Sequence, residues 1–193
     1  FMKIYLLRHT SLDIGPDIFY GQSDIDVSSN FEDEVRHIKK KIEENRIIEE
    51  KIKIYSSPLK RCVKLANALF QEHTKDDRLK ELNFGEWENK RIKDIPNKLI
   101  ESWRKDIMNF KIPGGESNED FFLRLKSFCD QIIKQDNNIF IVAHAGSINC
   151  IISYLANIPF DKLVKETWKK IGYGSLSRLV KKNKEFDLDL FGI

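Results

Sequence analysis

Ile4-Tyr5-Leu6-Leu7-Arg8-His9-Thr10 opens the chain with four apolar residues running straight into an arginine and a histidine. A continuous apolar run rich in β-formers reads as a strand buried on both faces, as in the middle of a parallel sheet. Enclosing Arg8 and His9 in such a strand is costly without partners. The strand is therefore expected to stop at Leu7, leaving both side chains at its carboxyl edge, where open α/β sheets bind ligands. A guanidinium and an imidazole at that edge point to an anion, a phosphate above all.

The same arrangement recurs at Ile139-Phe140-Ile141-Val142-Ala143, a second buried strand that ends in His144-Ala145-Gly146-Ser147. Ile148, Ile151, Ile152 and Leu155 then keep helical spacing, so a glycine-containing turn and a helix N-terminus follow the histidine, a natural anion seat. A shorter strand, Ile52 to Tyr55, leads into Ser56-Ser57-Pro58-Leu59-Lys60-Arg61-Cys62. Ser57 is predicted as the N-cap and Pro58 as the first helical residue. Leu59, Cys62, Val63, Ala66, Leu69 and Phe70 form one apolar face, and Arg61 falls outside it in the first turn. A cation there opposes the helix dipole unless it shares an anion with the helix end. Strand–helix alternation with parallel strands puts the carboxyl edges on one side of the sheet, so Arg8, His9, Arg61 and His144 are expected to converge.

Between these strands, residues 11 to 30 form a loop dense in Gly, Pro, Asp and Ser that contains Tyr20-Gly21-Gln22-Ser23-Asp24; loops this long tend to be functional or disordered. Ser29 and Glu32 stand at capping-box spacing before a helix with Phe31, Val35, Ile38 and Ile42 on one face and His37 off it, toward solvent. Leu79 to Glu88 alternates around Glu81 and reads as a strand ending at a site. Residues 89 to 112, with Trp103, Met108 and Phe110, read as an irregular helical excursion broken by Pro113-Gly114-Gly115. Ser117 is expected to cap a helix carrying Phe121, Phe122, Leu125, Phe128, Cys129, Ile132 and Ile133. Ser175 to Val180 and Phe186 to Phe191 flank a Lys182-Asn183-Lys184 turn and are expected to add antiparallel pairing at a sheet edge.

The chain of 193 residues fits one domain (1–193), with 84–116 expected as an insertion covering the active site. A charge of +3, from 33 basic and 30 acidic residues, gives no electrostatic case for nucleic acid or a membrane surface. No apolar run approaches the ~20 residues of a membrane span. Phe1 ahead of Met2 reads as an addition, and the start lacks the apolar core of a secretory signal. Cys62, Cys129 and Cys150 fall on apolar helix stripes as buried free thiols, so a reducing, cytoplasmic setting is expected. A His-His-Glu set is also a zinc set, but two arginines in the same pocket repel a dication. A serine-hydrolase elbow and a Walker-type loop are both missing.

Five strings, in this order, carry a specific resemblance: Leu6-Leu7-Arg8-His9-Thr10, Ser56 to Cys62, Leu79 to Glu88, Gly114-Gly115-Glu116-Ser117 and Val142-Ala143-His144-Ala145-Gly146. Over about residues 3 to 155 the chain resembles the histidine phosphatase superfamily, also called phosphoglycerate mutase-like. Thr10 in place of the commoner glycine, the Tyr20–Asp24 loop and Phe84-Gly85-Glu86-Trp87-Glu88 are most similar to the α-ribazole phosphatase branch. The resemblance implies an α/β fold, a three-layer α/β/α sandwich on one mostly parallel sheet.

It also implies a metal-independent phosphatase without cofactor, acting on a small phosphate monoester. His9 would become a phosphohistidine that water hydrolyses, with Glu81 as proton donor and then base; Glu86 and Glu88 lie nearby, but the family pattern selects Glu81. Arg8, Arg61 and His144 would hold the phosphoryl oxygens, and Arg8 and Arg61 would depress the His9 pKa. Substrate contacts would come from Arg8, Thr10, Tyr20, Gly21, Arg61, His144 and Ala145, with Thr10 either donating to phosphate or only shaping the turn. Tyr20, Trp87, Trp103 and Phe110 are candidates either for aromatic contacts or for the core. The favoured substrate by resemblance is α-ribazole 5′-phosphate of cobalamin biosynthesis. The alternatives are a phosphoglycerate mutase, another small-metabolite phosphatase such as one for phosphoserine, or a non-catalytic phospho-ligand binder. Assembly is left open, with a homodimer among the options.

Overall fold

The computed structural model describes residues 1–47, 51–167 and 170–193. One six-stranded sheet runs through it in the order β3-β2-β4-β1-β5-β6. Its strands are β1 (Lys3–Arg8), β2 (Ile52–Ser56), β3 (Thr74–Lys75), β4 (Asn138–Ala143), β5 (Leu176–Lys182) and β6 (Glu185–Leu190). β1 to β4 pair in parallel, and the β5–β6 hairpin adds antiparallel to β1. The alternation of strand side chains sorts the core into two layers. Ile4 and Leu6 of β1 pack with Ile139 and Ile141 of β4 against α4 (Asn118–Ile132) and α5 (Ala145–Leu155). Tyr5 and Leu7 pack with Phe140 and Val142 against α1 (Phe31–Glu44) and α2 (Lys60–Leu69). The architecture is the expected α/β/α sandwich, and the continuous apolar runs of β1 and β4 are central because both their faces are covered. The excursion after β3 carries α3 (Asn97–Lys105), and α6 (Phe160–Thr167) precedes the hairpin.

Several local expectations are corrected. β1 continues through Arg8, which lies opposite Ala143 of β4. The ladder can extend because the Arg8 N–H donates to Ser175 O at 3.0 Å and the His9 N–H to Ala143 O at 3.1 Å. β2 likewise reaches Ser56. Ser29 and Glu32 form no capping box: α1 starts at Phe31 after an Asn30 that makes no side-chain cap bond, and Ser28 Oγ accepts from the Asn30 N–H at 3.2 Å.

Leu79–Glu88 is not a strand but a chain of 3-10 turns at Asp77–Leu79 and Gly85–Trp87. The carbonyls around Glu81 are met by a side chain of α4 instead of by a neighbouring strand. Arg124 Nη1 donates to Arg78 O and Lys80 O at 2.8 and 2.9 Å, and Nη2 to Glu81 O at 3.2 Å. Glu116 holds Arg124 by two bonds of 2.9 Å, the bidentate geometry that makes arginine pairing directional. The Ser117 cap of α4 is present, with Asp120 completing a capping box, and β5 and β6 meet the expectation for the tail.

Candidate active site

β1 and β4 are neighbours in register, so the residue that follows each ends at the same edge. His9 and His144 meet there with ring centroids 5.3 Å apart, each only 1% exposed. Nδ1 of His9 lies 2.8 Å from Thr10 O. A carbonyl only accepts, so Nδ1 carries the proton and Nε2 keeps a free lone pair. Burial pushes the His9 pKa well below the usual imidazole value, and the Arg8 and Arg61 charges add to that shift. Desolvation thus outweighs the arginines expected to lower it. His144 is lowered well below the usual value too, by burial first and then by Arg61, His9 and Arg8. A neutral imidazole is the nucleophilic form.

Ser57, the expected N-cap of α2, does not cap it: the helix begins at Lys60, its cap residue Leu59 makes no side-chain bond, and Pro58 lies outside the helix. The Ser57 hydroxyl sits 2.8 Å from Nε2 of His144, so the residue that reads as a cap belongs to the site.

Arg61 is completely buried. Its Nη1 donates to Ser23 O at 2.8 Å and its Nη2 to Gly21 O at 2.5 Å. Arg8 donates through Nη1 to Ile171 O at 2.7 Å and through Nη2 to Tyr20 Oη at 3.4 Å. These hydrogen-bond partners are all neutral, so neither guanidinium is paired directly with a carboxylate. Arg8 Nε, Arg61 Nε and Thr10 Oγ1 are buried without a hydrogen-bond partner among the described residues. Each such donor carries a desolvation penalty of about 1–3 kcal/mol until a ligand satisfies it.

Glu81 faces the site from the turn segment. Its carboxylate accepts from Gly146 N–H at 2.9 Å and from Leu82 N–H at 3.0 Å. The N-terminus of α5, expected to seat a ligand anion, therefore seats the Glu81 carboxylate. A Cβ at Gly146 would lie 2.3 Å from Glu81 Oε1, so a side chain there would push the carboxylate aside. Glu86 is exposed, and Glu88 is committed to the 20–23 loop.

Gly21 donates its N–H to Glu88 and accepts from Arg61 through its carbonyl. Tyr20 and Ala145 line a cavity of about 550 Å³ beside His9 and Glu81, whose far wall includes Phe19, Phe84, Trp103 and Phe160. Trp87 and Phe110 are not in that wall. Trp87 is buried, with Phe110 5.9 Å and Trp103 5.7 Å from its ring, so it backs the cavity wall.

Tyr173 escaped the sequence reading. Its hydroxyl is 2.7 Å from that of Tyr20, the Arg8 guanidinium lies 4.1 Å from its ring centroid, and its ring is 5.7 Å from that of His9. Its only signal was a tyrosine between Gly172 and Gly174 ahead of β5, too common a context to single out. Cys62, Cys129 and Cys150 are buried free thiols, and burial pushes the Cys62 pKa up to about 12. Among the described residues no group of three or more His, Cys, Asp or Glu side chains is placed to hold a metal ion, and no helix is long and apolar enough to cross a membrane.

A family model described as histidine phosphatase superfamily (branch 1) matches residues 4–193. A putative phosphoserine phosphatase 2 of Hydrogenobacter thermophilus is 28% identical over 171 residues, covering 83% of this chain and 82% of that protein. A probable phosphoglycerate mutase of Salmonella choleraesuis is 25% identical over 169 residues, covering 82% and 76%. The crystal structure of the α-ribazole phosphatase from Shigella flexneri superposes with a TM-score of 0.87 at 18% identity, covering 100% of this chain and 96% of that one; at that identity the likeness is one of fold.

Proposed function

The chain belongs to the histidine phosphatase superfamily, branch 1, and from that premise we propose that it hydrolyses a small phosphate monoester through a phosphohistidine formed on His9. The observation that carries this reading is a neutral imidazole with a free Nε2, flanked by the Arg8 and Arg61 charges, with Arg8 Nε, Arg61 Nε and the Oγ1 of the adjacent Thr10 buried without partners among the described residues. A phosphoryl group supplies what that cluster lacks, acceptor oxygens and negative charge.

In the first step the Nε2 lone pair forms a bond to phosphorus as the bond to the ester oxygen breaks. Glu81 gives a proton to the departing alcohol. In the second step water attacks the phosphohistidine. The Glu81 carboxylate takes the proton of the water, the N–P bond electrons return to Nε2, and inorganic phosphate leaves. Arg8, Arg61 and His144 hold the oxygens on which charge is concentrated, so the guanidinium groups do the work of charge neutralisation without a metal. General acid help is worth roughly 10²–10⁴-fold. Phosphate monoester hydrolysis needs up to ~10²¹-fold, so the clamp supplies most of the acceleration.

The aromatic wall of the cavity supports a flat, largely apolar leaving group. Asn149 and Trp103, with Oδ1 and Nε1 unpartnered among the described residues, add an acceptor and a donor on lining residues. Within the family this favours α-ribazole 5′-phosphate as substrate, with the 84–116 segment as the insertion that covers the site; the three buried thiols suit a reducing, cytoplasmic compartment.

Phosphate release measured in EDTA across α-ribazole 5′-phosphate, phosphoserine, sugar phosphates and phosphoglycerates tests the reading. Release from a monoester is expected, abolished in His9→Ala. Glu81→Ala is expected to slow it by at least about 10²-fold and leave a phosphoenzyme that can be trapped. Interconversion of phosphoglycerates without net phosphate release would turn the assignment to a mutase, and full turnover in His9→Ala would remove the mechanism.

A further inference from the structure

Glu88 makes more hydrogen bonds to the neighbouring loop than a surface carboxylate needs. Its two oxygens accept from Gly21 N–H at 2.9 Å, Gln22 N–H at 2.7 Å and Ser23 Oγ at 2.7 Å. The same three residues present their other side to the active site. Gly21 O and Ser23 O take the two terminal nitrogens of Arg61, and the Gln22 side chain donates to Glu81 O at 3.1 Å. Arg61 is fully buried, and these two carbonyls are its hydrogen-bond partners among the described residues. The direction of its guanidinium is therefore set by backbone that Glu88 pins from behind. The loop has little room for another course. A Cβ on Gly21 would lie 1.8 Å from Leu82 O, so the strand of backbone lies directly on the Glu81 segment.

We propose that Glu88 is a positioning residue for the phosphate clamp, acting on Arg61 through the backbone of Gly21 and Ser23. A carboxylate suits this task because both its oxygens accept and it presents no hydrogen of its own. Glutamine cannot copy it: whichever way the amide turns, its NH₂ group faces a backbone N–H, that of Gly21 or that of Gln22. Nor is the negative charge incidental, since it lies behind a buried cation whose direct partners are all neutral. The proposal rests on the clamp geometry of the phosphatase reading, though not on turnover.

The test is therefore inorganic phosphate affinity, measured by calorimetry on the wild-type chain and on Glu88→Gln, Arg61→Ala and the double variant, with thermal unfolding run alongside. Glu88→Gln is expected to weaken phosphate binding about tenfold, within the range of coupled neighbours, and less than about twofold when Arg61 is already alanine. Equal weakening in both backgrounds would show that Glu88 acts elsewhere and overturn the proposal. Unchanged affinity in the single variant would overturn it as well. If Glu88→Gln does not fold, Ser23→Ala removes one of the donors to Glu88 while leaving the carbonyl to Arg61, and a smaller loss in the same direction is expected; no loss counts against the proposal. A wild type that binds phosphate but hydrolyses no ester removes the phosphatase reading and leaves this one standing. A wild type with no phosphate affinity removes the clamp and Glu88 with it.

Discussion

His9 and His144 are held neutral at the cost of a pH dependence that the folded protein must show. Both folded pKa values lie well below the ordinary imidazole value of 6.5, in each case through burial first. In the unfolded chain both rings bind protons near that ordinary value. Above about pH 6.5 neither state is protonated at these sites and stability is unaffected by them. As the pH falls below it, the unfolded state takes up protons that the folded state refuses, so stability declines toward the folded pKa values. Each ring contributes a slope of up to about 1.4 kcal/mol per pH unit over that window. Denaturant unfolding of the wild type and His144→Gln between pH 7.5 and 5 measures this. The variant is expected to lose about one ring's share of the slope, and an unchanged slope would show that His144 is protonated in the folded protein. The same burial keeps Nε2 of His9 nucleophilic in mildly acidic solution, so His9 itself should impose no acid limb on kcat/KM near pH 6.5.

At the scale of elements, the site is made where the carboxyl ends of β1, β2 and β4 meet the starts of α2 and α5, and α5 in turn abuts the Glu81 turn. The Gly146 N–H bonds Glu81, and the absent side chain of Gly146 leaves the space the carboxylate fills. Gly146→Ala is therefore expected to displace the carboxylate. Steady-state kinetics should show kcat falling by roughly 10²-fold, the scale of general acid catalysis, with phosphate affinity nearly unchanged. A loss confined to KM would mean that Glu81 binds substrate without transferring a proton.

How far such junctions can be read from sequence depends on whether the signal is local. The two buried strands and the histidines after them were legible because a continuous apolar run that meets a polar residue leaves few alternatives. α4 was legible through its cap. Ser57 misled because a serine before proline has the local chemistry of a cap, while its use as a His144 partner depends on β4, eighty-odd residues away. Leu79–Glu88 misled for a similar reason: its alternation suits a strand, but Arg124 of α4, about forty residues away, takes the carbonyls of Lys80 and Glu81. The roles of Glu88 and Tyr173 consist wholly of contacts across the fold and left no local pattern.

Across the whole molecule, the proposed function has phosphate and leaving group served by different parts. The phosphate end belongs to the carboxyl edge of β1 and β4, the middle of the sheet, where both layers of the core fix the backbone. The leaving-group end is walled partly by the excursion, through Trp103 and Ile107, and partly by Phe160 and Val164 of α6. On the proposed reading the histidines sit at the ends of central strands, and selectivity falls to segments that can vary without disturbing them. Trp103 is the residue on which this division can be tested. It lines the cavity and packs edge-to-face on both Phe19 and Trp87, 5.9 and 5.7 Å between centroids. Trp103→Ala removes one aromatic wall, and a lost pocket contact of roughly 1–3 kcal/mol corresponds to about 10–200-fold in discrimination. The ratio of kcat/KM for α-ribazole 5′-phosphate over phosphoserine is expected to fall at least about tenfold, whereas inorganic phosphate should bind within about twofold of wild type, since additivity holds for separated sites. The lost ring contacts should also lower the melting temperature, by about 2–4 °C for each kcal/mol in a chain of this size. If both esters and free phosphate weaken together, the excursion supports the clamp as well as the leaving group, and the two ends of the site are mechanically one.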